Sequence, residues 1–390
     1  MPNVFDYLEW RGDLTFSEVP VGEVDNLIFC LLSYVDLDHV VPENGRITIH
    51  RAAAEYFFNH GDDSERPLGW IVPADILTLF RRMANYPRYR DLELTGYVNA
   101  ICEKREMQFS ALTIRLPGEG LFVAFRGTDD TLVGWREDFN LAYMDEVPSQ
   151  RMAADYLNAL DLTPDTTLYV GGHSKGGNLA VWGAVHAEEA VRHRIAQVYS
   201  NDGPGFSEGM IASEAYRAMA ERIRIILPED SLVGLLLEHD ERYTVVKSGG
   251  KGVYQHNGLY WEVLGSSFIR ADRLSHRGIQ HDTVVRERIL AMTREEREHL
   301  VRIMFSLLES TGAKTLTELH ESGPKAVITM IKAFRELSEE DQETTAFLWD
   351  KLFRGKLGES VGTAKPPKAI GKRSRRKGKI RVSFFPLFLP

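Results

Sequence analysis

Apolar and polar positions fall into three regimes along this 390-residue chain. Residues 1–100 read as mostly helical. After Gly22-Glu23-Val24-Asp25 the stretch Leu27–Val35 is apolar except for Ser33, with Asp25 or Asn26 placed to cap it, and Ile76–Met83 follows Asp75 in the same way. Pro87–Tyr97 reads as further helix and connection. From Met107 the spacing becomes strand-like: Phe109, Leu112, Ile114 and Leu116 form one run, Pro117–Gly120 turns the chain, and Leu121–Phe125 returns as an unbroken apolar strand.

Helix at about 149–160 precedes a short strand, Leu168–Val170, and a second helix to about 192. Ala196–Ser200 and Arg222–Leu227 read as further strands. Strands alternating with helices predict an α/β fold, a mostly parallel sheet flanked by helices, with functional loops at the carboxyl ends of its strands. A third regime opens at Thr293, where Thr293-Arg294-Glu295-Glu296 is a capping box. Amphipathic helices then run to about 354, broken near Ser322-Gly323-Pro324. The expected organisation is a helical N-terminal region over 1–100 packed on the core, an α/β core over 101–292, a helical appendage over 293–364 and a tail over 365–390.

Charge sharpens the last boundary. The net charge of −9 conceals nine basic and no acidic residues between Lys365 and Arg381, while residues 1–364 carry 38 basic against 56 acidic. That basic tail, which ends in apolar and aromatic residues, reads as disordered and as a ligand for an anionic membrane surface. Nucleic acid is not expected as a partner, because no reading module accompanies the charge. Cys30 and Cys102 provide neither a disulfide framework nor metal-ligand spacing, and no cofactor or metal is expected. The first residues lack the pattern of a signal peptide, and the apolar run Leu27–Val35 is too short to span a bilayer. A reducing, cytoplasmic setting, peripheral to a membrane at most, is the expectation.

The chemistry concentrates at Leu168–Ala180. There a strand runs into Gly172-His173-Ser174-Lys175-Gly176 and a helical pattern follows, which is the strand–turn–helix context of a nucleophile elbow. A serine hydroxyl at such a turn needs a base, a carboxylate to orient the base, and donors for the oxyanion. Among 12 histidines, His256 lies in the turn-rich Gln255–Trp261 stretch and is the favoured base; His239, His276 and His281 are fallbacks, and His173 sits in the elbow itself. Two aspartates compete for the acid. Asp202 and Asp230 end successive strands, 28 and 56 residues after Ser174, and Asp230 is favoured. The backbone N–H groups of Lys175 and Thr128 are the expected oxyanion donors.

Phe125-Arg126-Gly127-Thr128 with Trp135 and Asp138 downstream, Gly172 to Gly177, and His256-x-Gly258-x-x-Trp261 together resemble the class 3 lipases. More closely, they resemble a bacterial lipase-like branch of that superfamily whose function is not known. The likeness spans roughly residues 107–265. It implies the α/β-hydrolase fold, Ser174 as nucleophile, Thr128 as first oxyanion residue, Asp230 as acid in an Asp-x-Val pattern with one extra residue, and His256 as base. Lys175 replaces the usual leucine, which would set a cation beside the site and favour an anionic head group. Residues 129–148 occupy the position of a lid.

The expected function is therefore hydrolysis of carboxylic esters, lipid or short acyl, through a Ser-His-Asp triad and an acyl-enzyme. The alternative is a hydrolase-shaped scaffold whose appendage and tail bind a partner. Residues 1–100 and 293–364 show no chemistry of their own.

Overall fold

The computed structural model describes residues 1–61, 68–69, 72–238, 242–275 and 287–353. The fallback histidines His239, His276 and His281 lie outside the described residues, as do 354–364 and the basic tail.

An eight-stranded sheet in sequential order forms the frame. Its strands are β1 (Ile47–Thr48), β2 (Glu93–Cys102), β3 (Met107–Leu116), β4 (Gly120–Phe125), β5 (Thr167–His173), β6 (Ile195–Asn201), β7 (Ile223–Pro228) and β8 (Tyr243–Val246). The first four pair antiparallel, and β4 through β8 run parallel. This is an α/β-hydrolase-like sheet, as the alternating pattern predicts. The Pro117–Gly120 turn fixes the β3–β4 register, pairing Leu116 with Gly120 and Ala111 with Phe125.

The sheet begins earlier than the sequence suggests. Pro87–Tyr97 contains the start of β2, and Ile47–Thr48 pairs outside it. Most β2 residues are only half-buried, and the pairing with β3 slips between Thr95 and Val98, where Gly96 adopts φ 62°. Such a bulge breaks the period-two alternation by which a strand is recognised.

Alternating side chains of β3 and β4 feed two cores. Leu112, Ile114, Phe122 and Ala124 face a cluster built from α1 (Val4–Arg11), α2 (Glu23–Leu32), α3 (Ile49–His60) and α4 (Asp75–Met83). Phe109, Ala111, Val123 and Phe125 face the other side, where α6 (Pro148–Asn158) and α7 (Lys175–His186) pack; α5 (Leu132–Asn140) precedes them in the chain. Gly22 rather than Asp25 caps α2, and the Asp25 carboxylate instead accepts the Gly22 N–H at 2.9 Å. Residue 25 is also the centre of a buried cluster, paired to Arg88 at 2.7 Å and bonded by the hydroxyls of Tyr7 and Tyr89.

Met1–Arg354 pack as one unit, and its last helices lie outside the sheet. Thr293 caps Arg294–Glu309 through the reciprocal bonds of a capping box with Glu296. The helix Leu316–Glu336 is interrupted at Gly323, φ 49°, immediately before Pro324. Among the described residues no helix is long and apolar enough to cross a membrane.

Candidate active site

Ser174 stands between β5 and α7 with φ 58° and ψ −134°, a conformation that a side chain rarely tolerates outside an over-determined turn. Close packing enforces it. A β-carbon at Gly172 would lie 2.0 Å from the Gly176 carbonyl, and one at Gly176 would lie 2.1 Å from the Phe125 carbonyl oxygen. The turn therefore accepts only glycine at both flanks. Lys175 opens α7, so its N–H is among those left without an intrahelical partner, at the positive end of the helix dipole.

His256 ends a short 3₁₀ turn, Gly252–His256, and its imidazole is partly exposed. Its Nδ1 lies 2.6 Å from Oδ2 of Asp202, which is fully buried. Asp202 follows β6, the strand adjoining β5, and itself has φ 50°. The Ser231 hydroxyl donates to its other carboxylate oxygen. The carboxylate brought to the imidazole is thus that of Asp202 and not that of Asp230. Asp230 turns elsewhere: its carboxylate accepts from Gln255 Nε2 at 2.9 Å and from the Ser275 hydroxyl, and its N–H donates to Gln255 Oε1 at 2.9 Å. It braces the residue before His256. Both aspartates end strands beside β5 or β6, and only their side-chain directions separate them.

The imidazole of His256 lies against that of His173, ring centroids 4.6 Å apart, so the base loop rests on the elbow. His173 Nε2 is 2.7 Å from the His256 carbonyl oxygen, and the Tyr34 hydroxyl is 3.1 Å from His173 Nδ1. Burial, followed by the neighbouring His256, pushes the His173 imidazole down to about 3, leaving it neutral across the ordinary pH range.

Thr128 is nearly buried after β4, where its hydroxyl donates to Asp138 on α5. Burial raises Asp138 to about 6 against the opposing effects of Lys175 and of the Thr128 bond. Residues 131–140, expected as part of a lid-like loop, are thus a capped helix: Thr131 accepts the Gly134 N–H, and Glu137 is completely buried. The Lys175 side chain also departs from expectation. The side chain is 1% exposed, and its ammonium bonds Gln108 Oε1 at 2.8 Å, the Gln108 carbonyl at 3.0 Å and Glu137 Oε2 at 3.0 Å. No cation is presented to a substrate from residue 175; burial directs it into the protein, where a carboxylate neutralises it.

Sequence reasoning missed Tyr34, Gln108 and Glu137. Each lies far along the chain from the elbow, and none belongs to a local pattern that announces a role.

A family model described as Mbeg1-like matches residues 83–306. The crystal structure of M37 lipase is similar over 54% of this chain and 68% of its own, at 16% identity and a TM-score of 0.34. No curated protein matches the chain.

Proposed function

The chain belongs to the Mbeg1-like family, among the lipase-like α/β-hydrolases, and from that premise we propose that it hydrolyses carboxylic esters of lipid or short acyl groups through Ser174. One observation carries the reading. A serine strained into φ 58° at the head of a helix has, on its neighbouring residue, the imidazole of a histidine bonded at 2.6 Å to a buried aspartate.

In this reading His256 Nε2 takes the Ser174 hydroxyl proton as Oγ attacks the ester carbonyl. Asp202 holds the proton on Nδ1, so that Nε2 keeps its lone pair for that task, and it stabilises the imidazolium that forms. The carbonyl oxygen becomes an oxyanion facing the N–H of Lys175 and the N–H of Thr128. The imidazolium then protonates the leaving alkoxide, which departs as the alcohol and leaves an acyl-serine. Water, deprotonated by His256, attacks the acyl carbon, and collapse of the second oxyanion returns the Ser174 hydroxyl and releases the acid.

A substrate panel tests this directly: p-nitrophenyl acetate and butyrate, monoacylglycerols and phospholipids, each with wild type and Ser174→Ala. Turnover of at least one carboxylic ester by the wild type and its loss in the variant is the expected result. Equal turnover by both, or none by folded wild type across the panel, contradicts the proposal and favours a non-catalytic scaffold.

A further inference from the structure

Tyr34 lies in the turn that closes α2, before the segment matched by the family model, and is 9% exposed. Its hydroxyl sits where three loops of the site converge. On one side is His173 of the elbow, with Nδ1 at 3.1 Å and the backbone carbonyl at 3.4 Å. On another is the oxyanion loop: a β-carbon at Gly127, the residue before Thr128, would lie 2.0 Å from the Tyr34 oxygen. The third, the loop of His256, is reached through the His173 ring, whose Nε2 is 2.7 Å from the His256 carbonyl oxygen.

Hydrogen-bond chemistry fixes the direction of this chain of contacts. A carbonyl oxygen only accepts, so His173 Nε2 carries a proton. The imidazole is buried and neutral, so Nδ1 holds a lone pair, and the Tyr34 hydroxyl donates to it. Without that donor the Nδ1 lone pair is buried with no partner, and the ring loses one of the two bonds that set its orientation. A ring free to turn weakens its bond to the His256 carbonyl, and the loop bearing His256 would move off the elbow.

We propose that Tyr34 is a positioning residue: by donating to His173 Nδ1 it holds the ring in the orientation that bonds the His256 carbonyl, and so fixes the His256 loop, and with it the imidazole, against the nucleophile elbow. The inference rests on the hydrolase reading for its kinetic consequence, though not for its structural one. The Tyr34 hydroxyl meets His173, at Nδ1 and at the backbone carbonyl, and acts through it. The N-terminal helical region thereby becomes part of the active-site architecture.

The experiment uses the full chain, with Tyr34→Phe, His173→Gln and His173→Leu beside wild type. Phenylalanine keeps the ring packing and removes the donor. Glutamine retains an amide N–H for the carbonyl and an oxygen for Tyr34, whereas leucine retains neither. Displacement of a catalytic group by about 1 Å costs roughly a hundredfold in rate. Tyr34→Phe should therefore lower kcat for ester hydrolysis by roughly ten- to a hundredfold with KM little changed and the melting temperature near that of wild type. His173→Gln should retain more activity than His173→Leu. Imidazole ¹⁵N spectra should show wild-type His173 as the Nε2–H tautomer, and Tyr34→Phe with the His173 Nδ1 signal moved toward that of an unbonded imidazole nitrogen and a shifted His256 signal. Wild-type kcat and unchanged His173 and His256 signals in Tyr34→Phe would overturn the proposal. If wild type hydrolyses no ester, the hydrolase reading fails, and the ¹⁵N spectra alone decide: perturbed His173 and His256 signals support positioning, and unperturbed ones refute it. Should Tyr34→Phe not fold, the ranking of His173→Gln against His173→Leu and their His256 signals take its place.

Discussion

Asp202 and Asp230 carry the same chemistry in similar settings, yet the fold assigns them opposite partners. Asp202 bonds the His256 ring, while Asp230 bonds Gln255 and Ser275. If Asp202 orients the base, Asp202→Asn should cost about 10⁴ in kcat, because the amide offers an N–H where the imidazole needs an acceptor. Asp230→Asn should cost far less, since it disturbs only a brace. Steady-state ester kinetics of the two variants make the comparison, and the reverse order would return the role to Asp230. Asp138 supplies a pH signature at the same scale. Its folded-state value of about 6 lies above the ordinary carboxyl value, so the folded protein binds this proton more tightly than the unfolded chain does. The associated stability is fully present below about pH 4 and is lost as pH rises through about 6. Asp138→Asn retains an oxygen to accept the Thr128 hydroxyl and removes the titration. Its melting temperature relative to wild type should therefore rise between pH 4 and pH 7; a constant difference would contradict the shift.

At the scale of elements, α5 and α7 are joined beneath the site by a buried ion pair, Glu137 with Lys175. The Glu137 carboxylate also accepts the backbone N–H of Gln108 at 3.0 Å and of Ser149 at 2.8 Å, so one side chain ties β3, α5, α6 and α7 together. Removing the cation alone leaves that carboxylate buried and uncompensated, at a cost of about 3–5 kcal/mol. Lys175→Met should lose stability on that order in denaturant titration, and adding Glu137→Gln should recover part of it. A Lys175→Met variant of wild-type stability would show the pair to be dispensable. This helix was not legible in the sequence. Its buried positions include Gly134, Glu137 and Asn140, so the inward face is marked by polar and small residues rather than by an apolar stripe. Strand β2 was hidden for a related reason, half-buried and bulged at Gly96. By contrast β4 and the elbow were legible, because full burial writes β4 as a continuous apolar run and close backbone packing imposes the elbow's glycines. The triad acid was not, since both strand ends carry an aspartate beside turn residues and only the fold distinguishes their directions.

At the scale of the molecule, the parallel half of the sheet delivers the elbow and Asp202 from the adjoining ends of β5 and β6, with the His256 turn laid over them. The first 60 residues cover the opposite face from α6 and α7, and through Tyr34 they reach the elbow itself. Everything functional in this account depends on Ser174 being a nucleophile activated by His256. The most direct measurement is covalent labelling of the folded protein with a fluorophosphonate probe, read by mass spectrometry of the proteolysed adduct. The account predicts one adduct, on the peptide bearing Ser174, absent in Ser174→Ala and strongly slowed in His256→Ala. No adduct on folded wild type, or an adduct that persists in Ser174→Ala, would contradict it.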